Sequence, residues 1–470
     1  MRRALGCSTA VLVCALGFSM LSLPSVGKPL NHHAGIQSGP SQSLPDPRIA
    51  AALRQVSAGR IRANIEKLVS FHTRLTISAQ DPQSLADGRG IGAAREWIKS
   101  EFESYSKQCG GCLEVKTDSF VHPPAERLPH ETRITNVYAV LKGNDPENAG
   151  RILLVTGHYD SRNTNVLDPE GAAPGANDDA SGTAVSLECA RVLSRLKFPA
   201  TIVFLTVAGE EQGLYGSTHF AQMAKSEGWN LEAALNNDIV GGDRSPGQDH
   251  STVRVFSEGI PLAATPKEIA SIRNLGGESD SPSRQLARYV ASAARAYGTI
   301  NPLLVFRLDR YLRGGDHIPF NEQGFAAVRF TEYRENFHHQ HQTLRTEAGI
   351  EYGDLPKFVD FDYVAAVARL NAAVLASLAS APAPPARVRI RTAQLENDST
   401  LEWEPSSGGL ATGYEVLWRA TTSPEWEHAK AVGKVTETTL PVSKDNVIFA
   451  VRATDDKGHQ SLPVVPEPAR

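Results

Sequence analysis

The sequence predicts an α/β protein whose main domain is a mostly parallel, doubly wound sheet with helices on both faces. Runs of β-branched and aliphatic residues alternate with segments of helical periodicity, as is typical of parallel strands joined by crossover helices. The clearest such unit is a strand over 152–156, a helix over 181–196 and a strand over 201–207. Near the C terminus, a proline-rich stretch precedes short alternating strands, which predicts a small all-β sandwich after the main domain.

The composition is that of an ordinary globular protein. The chain has 470 residues, of which 41% are hydrophobic and 21% charged, enough for one large domain and a smaller one. Its formal net charge is −4, and no basic stripe is visible in the sequence. We therefore expect no nucleic acid partner and no electrostatic attraction to an anionic membrane.

The N terminus has the pattern of a secretory signal. Met1-Arg2-Arg3 precedes an apolar run over 4–23, and small residues at 25–27 offer a cleavage site. We expect a signal peptide at 1–27 and an exported protein, periplasmic or secreted, without an integral membrane segment once the signal is removed. A membrane-anchoring helix is the alternative, which the hydroxyl residues within the run and Pro24 after it disfavour.

The main domain is predicted at 47–381, after an N-terminal arm at 28–46. Apolar residues at helical spacing predict two helices before the sheet, and a long apolar segment closes the domain. The predicted helices cover 47–71, 93–105, 181–196, 214–225, 281–297 and 358–381. The predicted strands cover 113–121, 133–141, 151–156, 201–207, 231–240, 252–256, 303–308 and 326–331.

Three of the five cysteines lie beyond the predicted signal. In an exported protein, Cys109 and Cys112, separated by two glycines, suggest a small disulfide loop. A redox or zinc role for this pair is less favoured, because the chain has no second pair to complete a zinc site. Cys189 falls within the predicted helix over 181–196, and we expect it to be a buried small hydrophobe.

The C-terminal part of the chain is predicted as a separate domain at 387–470, joined by a proline-rich linker at 382–386. Its strands around Trp403, Tyr414 and Phe449 resemble those of a fibronectin type III domain. Phe449 stands where that family usually has a tyrosine. The sequence leaves the role of this domain open: it could dock another molecule, a glycan or the main domain itself, or act only as a spacer.

Side chains of the kinds that bind metals follow successive predicted strands. His158 and Asp160, two apart on an extended strand end, point the same way, so the carboxylate can accept the ring proton of the imidazole. Asp178 lies just before a predicted helix, whose amino-terminal end stabilises a carboxylate, and is our candidate to bridge two ions. Glu210 and Glu211 are adjacent, so their side chains diverge, which suits one metal ligand and one free general base.

Each of these motifs has a structural alternative. An Asp-Asp pair before a helix is commonly a capping turn, and a Glu-Glu pair is commonly solvated. The carboxyl ends of parallel strands meet at one edge of a sheet, however, so the joint occurrence of the motifs favours a shared site. A two-metal site of this kind supplies both a nucleophile and an electrophile for amide hydrolysis.

The chain carries the series G-H-Y-D-S, P-G-A-N-D-D-A-S-G, G-E-E-Q-G-L-Y-G-S, N-N-D and G-G-D-H-I-P-F. On these motifs it resembles the di-zinc exopeptidase family of bacterial leucyl aminopeptidases, with glutamate carboxypeptidase and glutaminyl cyclase as relatives, and the resemblance covers 49–381. The resemblance implies two Zn²⁺ ions as cofactors. It implies His158 and Asp238 as ligands of one ion, Glu211 and His317 as ligands of the other, and Asp178 as the carboxylate that joins the two.

The resemblance also implies the catalytic roles. Glu210 would be the general base, which takes a proton from the attacking water held by the two ions and delivers it to the leaving amine. Asp160 would orient His158. The peptide bond between Asp178 and Asp179 is expected to be cis, as it often is in the family.

A late histidine is also implied by the resemblance. His338, in the match Asn336-Phe-His338, would contact the substrate or the tetrahedral intermediate, although Gln342 stands where the family usually has an aspartate. His339 and His341 offer an accessory metal site as one alternative, and packing or solvated roles are favoured over it.

The expected function is therefore that of an exported zinc aminopeptidase, acting on peptides with a free N terminus. A carboxypeptidase or dipeptidase of the same family is the nearest alternative, because the same metal core serves both. Glutaminyl cyclase activity is disfavoured, because that branch uses a single zinc. A non-catalytic binding or adhesion protein is the alternative from a different class, and the presence of Glu210 with a full ligand set argues against it.

Overall fold

The computed structural model describes residues 45–469, so the predicted signal and residues 28–44 of the predicted arm lie outside the described residues. The main domain is built on one eight-stranded mixed sheet. Its strands are β1 (Leu113–His122), β2 (Thr132–Leu141), β3 (Arg151–His158), β4 (Thr201–Val207), β5 (Asn230–Asn237), β6 (Thr252–Ser257), β7 (Asn301–Val305) and β8 (Ala327–Glu332). They lie in the order β1-β2-β4-β3-β5-β8-β6-β7.

Strands β3, β4, β5 and β8 are mutually parallel and form the middle of the sheet. The helices are α1 (Pro47–Leu53), α2 (Ala58–Val69), α3 (Pro82–Ala86), α4 (Gly90–Gln108), α5 (Ala180–Leu193), α6 (Glu210–Gly213), α7 (Tyr215–Ser226), α8 (Pro266–Asn274), α9 (Pro282–Tyr297), α10 (His317–Glu322) and α11 (Phe361–Ser380). A small hairpin of β9 (Arg345–Glu347) and β10 (Ile350–Tyr352) precedes a 3₁₀ turn at Pro356–Phe358.

Helices cover both faces of the sheet, as the sequence predicts. Because side chains alternate along a strand, Ile202 and Phe204 of β4 enter the larger core with α5 and α11, whereas Val203 and Leu205 enter a second core with Phe220 of α7. The middle strands are therefore buried on both faces, which is why they are apolar at almost every position.

Helix α11 is apolar along its whole length because it is buried inside this larger core. Among residues 45–469 it is the only helix long and apolar enough to cross a membrane by length and composition, but 89% of its apolar window is buried inside the protein. It packs against α2, α5 and α9. Its hydrophobicity is thus explained by the core of the domain.

The C-terminal segment forms two small sheets packed face to face. One contains β11 (Ala386–Arg391), β12 (Ser399–Glu404), β15 (Glu437–Leu440) and β17 (Glu467–Ala469), and the other contains β13 (Gly413–Ala420), β14 (His428–Gly433) and β16 (Val447–Thr454). Their inner faces share a core that includes Trp403, Tyr414 and Phe449. The predicted all-β sandwich is present with these seven strands.

The sandwich packs on the main domain. Arg419 of β13 lies 2.7 and 2.8 Å from the two carboxylate oxygens of Asp280, next to α9. Arg288 of α9 donates to the Pro424 carbonyl at 2.7 Å, and Leu462 belongs to the larger core of the main domain. The sandwich therefore docks on the main domain.

Some local predictions differ from the structure. The helix predicted over 47–71 is broken into α1 and α2, because Ser57 caps α2 and accepts a hydrogen bond from Arg60 N. Helices α8 and α10 and the β9–β10 hairpin were not predicted. The disulfide between Cys109 and Cys112 and the burial of Cys189 are confirmed.

Candidate metal centre

The candidate site lies where the four parallel strands end. His158 is the last residue of β3, Glu210 and Glu211 follow β4 after two intervening residues, and Asp238 follows β5 directly. The loop after β8 carries the late histidines. The predicted meeting of these side chains at one edge of the sheet follows from the parallel order of the strands.

Asp179 ties the start of α5 to the end of β3. One of its carboxylate oxygens accepts the Gly182 N–H at 2.8 Å, and the other accepts the His158 N–H at 3.0 Å. The peptide bond between Asp178 and Asp179 is cis, as the resemblance implies. Asp179 is therefore engaged with the backbone, and its neighbour Asp178 is left to face the site.

A first group of ligand atoms comprises His158, Glu210 and Asp238, all within 4.8 Å of one another. His158 Nε2 lies 3.9 Å from Asp238 Oδ1. The other ring nitrogen, Nδ1, is 3.1 Å from the Asp160 carbonyl oxygen and 3.4 Å from its carboxylate. Nδ1 therefore donates to the Asp160 backbone carbonyl, whereas the sequence predicted the Asp160 carboxylate as the acceptor, and Nε2 faces the carboxylates of Asp178 and Asp238.

A second group comprises Asp178, Glu211 and His341. His341 Nε2 lies 2.8 Å from Asp178 Oδ2 and 3.1 Å from Glu211 Oε2. The other oxygen of Asp178, Oδ1, lies 3.1 Å from His158 Nε2. Asp178 thus stands between the two groups, with one oxygen toward each histidine.

The structure corrects the prediction for His317. This residue begins α10, and its Nε2 donates a hydrogen bond to the Leu308 carbonyl at 2.8 Å. Its ring is 3.8 Å from Asp309, and it belongs to neither ligand group among the described residues. The position predicted for His317 is occupied by His341, because the loop after β8 reaches the end of β3 whereas α10 starts beside a separate loop.

His338, predicted to contact the substrate, lies in the same loop but apart from both groups. Its side chain is exposed, and its ring is 5.1 Å from that of Tyr352. His339 bonds to Asp243 and stacks on Phe358 at 3.6 Å between ring centroids, so it has the packing role that the sequence favoured. His338 as a substrate contact remains a prediction.

Arg162 contacts the second group and was missed in the sequence. Its Nε lies 3.0 Å from Glu211 Oε2, and its Nη2 lies 2.7 Å from His341 Nδ1. The side chain is 20% exposed, so the guanidinium reaches the site from the solvent side. Nothing in a single sequence distinguishes this arginine from others that follow a strand.

The charges in the site perturb one another strongly. Burial raises the pKa of Glu210 well above its ordinary range; Asp238 and Glu211 act in the same direction, and His158 opposes them. Burial alone would also raise the pKa of Asp238, but Arg329, whose Nη2 lies 2.9 Å from Asp238 Oδ2, keeps it below its ordinary value. The pKa of Glu210 is therefore raised, whereas the pKa of its neighbour Asp238 is lowered.

The donor set fits a zinc centre. His158 Nε2 and Glu211 Oε1 are buried, and neither has a hydrogen-bond partner within residues 45–469. Unpaired buried polar atoms are rare because they are costly. Burial disfavours a charge on His341, yet Glu211 and Asp178 raise its pKa to about 10. Imidazole nitrogens and carboxylate oxygens are among the ligands that zinc takes in proteins. The carboxylates around His341 favour positive charge in this pocket, as a zinc site requires.

Comparison with known proteins agrees with this chemistry. The model of peptidase family M28 matches residues 136–355, the segment that carries both ligand groups. A probable zinc metalloprotease of Leptosphaeria maculans is 47% identical over 429 residues, covering 90% of this chain and 98% of that protein. A probable zinc metalloprotease of Pyricularia oryzae is 48% identical over 440 residues, covering 91% and 86%.

Solved structures support the fold. LapB from Legionella pneumophila matches with a TM-score of 0.51 and 18% identity, covering 73% of this chain and 78% of that one. LapA from the same organism matches with a TM-score of 0.50 and 21% identity, covering 71% and 76%. Because relatives of such high identity match over nearly their whole length, the chain belongs to peptidase family M28 and is a zinc metalloprotease.

Proposed function

We propose that this protein is an exported aminopeptidase that uses two zinc ions to release the N-terminal residue of a peptide. The observation that carries the two-ion proposal is the position of Asp178, whose two oxygens lie 3.1 Å from His158 Nε2 and 2.8 Å from His341 Nε2. A carboxylate that faces an imidazole on each side is suited to bridge two cations. His158 and Asp238 would hold one ion, and Glu211 and His341 the other.

Bound zinc would activate the substrate and the attacking water, and Asp160 and Arg329 would orient two of the zinc ligands. Bound zinc would polarise the peptide carbonyl and make water a stronger nucleophile at neutral pH. Asp160 keeps the ring proton of His158 on Nδ1, so that Nε2 stays available as a ligand. Arg329 fixes the outer oxygen of Asp238 and leaves the other oxygen directed to His158.

Glu210 is the general base in this proposal. Its carboxylate forms no hydrogen bond or ion pair with the other residues of 45–469. Its carboxylate would accept a proton from the attacking water as the new carbon–oxygen bond forms. It would then deliver that proton to the amide nitrogen as the carbon–nitrogen bond breaks, which releases a neutral amine.

The choice of an aminopeptidase is supported by the charge of the site. The strand ends and the turn before α5 bring together the carboxylates of Asp160, Asp178, Glu210, Glu211 and Asp238. Carboxylates that line a cleft attract a protonated α-amine. A carboxypeptidase or dipeptidase needs a cation for the terminal carboxylate, and the partly exposed Arg162 makes this the second candidate.

The test is hydrolysis of three probes by the purified protein: leucine aryl-amide, its N-acetylated form, and an N-acetylated peptide with a free C terminus. The proposal predicts turnover of the first probe only, with loss of activity on chelation and recovery with zinc. Turnover of the third probe would favour the carboxypeptidase. Absence of turnover on any free-amine substrate, including dipeptides, would favour a binding protein.

Export is part of the proposal and is tested separately. It rests on the predicted signal at 1–27. The mature protein, recovered from outside the cytoplasm of the producing cell, should have an N-terminal sequence that begins near residue 28. Recovery of the chain with Met1 in the cytoplasmic fraction would contradict export without affecting the proposed chemistry.

A further inference from the structure

Arg74 is a fully buried arginine that precedes the segment matched by the family model. It contacts both loops that carry the candidate ligands. Its Nε donates to the Tyr159 carbonyl at 2.7 Å, and Tyr159 lies between His158 and Asp160. Through Nε, the guanidinium therefore holds the backbone of the loop that carries His158.

The other nitrogens of Arg74 bind the second loop. Nη1 donates to the Pro174 carbonyl at 2.6 Å and to the Leu68 carbonyl at 3.0 Å, and Nη2 donates to the Gly175 carbonyl at 2.9 Å. Pro174 and Gly175 begin the turn that leads to Asp178. A single planar, charged group thus joins α2 to both ligand loops.

The backbone of Arg74 adds to this link. Its N–H donates to Ser161 Oγ at 3.2 Å, and its carbonyl accepts the Ser161 N–H at 3.3 Å. The turn is also packed closely on the guanidinium: a Cβ added at Gly175, where φ is +50°, would lie 2.9 Å from Arg74 Nη2 and 2.5 Å from the Asp178 carbonyl. The turn therefore has little room to shift while Arg74 is in place.

Asp354 holds the same turn through its N–H groups. Its carboxylate accepts Asn177 N–H at 2.8 Å and Asp178 N–H at 2.7 Å. The turn is thus fixed by an arginine on its carbonyl oxygens and by an aspartate on its N–H groups. Because Asp178 is the carboxylate that faces both histidines, its position depends on these two contacts.

We propose that Arg74 is a positioning residue that holds the His158 and Asp178 loops at the spacing needed to bind metal. This inference rests on the proposed function. Arg74 is also a positive charge close to Asp160, Asp178 and Asp179. If it acted through charge alone, its removal would strengthen the binding of a cation, whereas a positioning role predicts that its removal weakens zinc binding.

The experiment measures the zinc dissociation constant of the full chain by competition with a chromophoric chelator, with folding checked by circular dichroism. Arg74→Met should raise the zinc Kd about 100-fold, and Arg74→Lys, which keeps the charge and part of the donors, about 10-fold, the range found for residues that orient metal ligands. Because Arg74→Lys is the milder change, it decides the question if Arg74→Met does not fold.

Arg151→Met is the matched control. Arg151 is also buried, pairs with Glu232 at 2.6 Å and donates to the Ala381 carbonyl at 2.7 Å, but it lies at the opposite end of β3 from His158. This variant should unfold at a lower temperature and bind zinc as the unmodified protein does. A zinc Kd for the Arg74 variants that is unchanged, lower, or raised no more than in the control would overturn the inference. If the unmodified protein binds no zinc, the proposed function itself fails.

Discussion

Glu210 is the residue whose role can be tested with the smallest change. Glu210→Gln keeps the shape of the side chain but removes the proton acceptor, so kcat should fall by about 10² to 10⁴. Zinc content should be unchanged, because the proposed ligands nearest Glu210 are His158, Asp178 and Asp238. Steady-state kinetics and metal analysis measure the two quantities. Glu170→Gln, at an exposed carboxylate, is the control; similar kcat values for both variants would remove Glu210 from the mechanism.

His341 and His317 offer a second test at the scale of single residues. His341→Ala removes an imidazole 3.1 Å from Glu211, so the protein should retain fewer zinc ions and lose most of its activity. His317→Ala removes only the hydrogen bond to Leu308, so it should keep its zinc and lose stability. Zinc content measured after dialysis compares the variants, and the opposite pattern would restore the sequence-based assignment of His317.

The residues of the site could be predicted where a strand end defines them. His158, Glu211 and Asp238 follow apolar strands whose length and composition are clear, and the structure brings each of them to the site. The last ligand could not be predicted in this way. His317 is the histidine of the motif G-G-D-H, whereas His341 lies in an irregular loop with two other histidines, and no periodicity shows which loop folds back over β3.

Among the elements, β3, α5 and β5 meet at a contact between backbones just below the site. A Cβ added at Gly157 would lie 2.4 Å from the Gly182 carbonyl carbon, and one added at Gly182 would lie 2.1 Å from the Asn237 carbonyl oxygen. Glycine is needed at both positions because main-chain atoms cannot move aside as a flexible side chain can. This contact sets the distance between His158 and the start of α5.

Gly157→Ala should therefore lower the free energy of unfolding by about 1–3 kcal/mol, since the added methyl overpacks a rigid contact. It should also weaken zinc binding, because His158 is the next residue. Gly150→Ala, at a position with no atom within 4 Å of an added Cβ, is the control. Urea unfolding of both variants makes the comparison, and equal stabilities would show that β3 and α5 are not fixed by this contact.

The elements that sequence patterns predict well are those with long apolar stripes or runs. The strand over 201–207 has the predicted bounds, and α5, α7, α9 and α11 lie within a few residues of their predicted positions. Helix α8 was missed because it buries no residue and so shows no apolar stripe, although Thr265 and Glu268 form a capping box at its start. Helix α10 has only six residues, too few for a periodic pattern.

At the scale of the whole molecule, the sandwich is held by a buried ion pair. The side chains of Arg419 and Asp280 are 2% and 3% exposed, and Arg288 also lies 3.3 Å from the same carboxylate. These residues are far apart in the sequence, and the proline-rich segment between the domains resembles a spacer. For this reason the docking could not be predicted, whereas the existence of the sandwich could.

Arg419→Met should destabilise the protein by about 3–5 kcal/mol, because it leaves a buried carboxylate with an incomplete set of partners. Arg391→Met is the matched control: Arg391 pairs with Glu437 on the surface of the sandwich, and both side chains are about half exposed. The stability of that variant should be close to that of the unmodified protein, because an ion pair exposed to solvent contributes little. Chemical unfolding measures both, and a small effect of Arg419→Met would mean that the interface does not depend on this pair.

The proposed two-zinc centre depends on Asp178 joining two cations, and anomalous diffraction at the zinc edge from crystals of the zinc-loaded protein tests this most directly. We predict two anomalous peaks about 3.5–4 Å apart, with one oxygen of Asp178 on each and His341 on one of them. A single peak, or two peaks that share no carboxylate, would contradict the account.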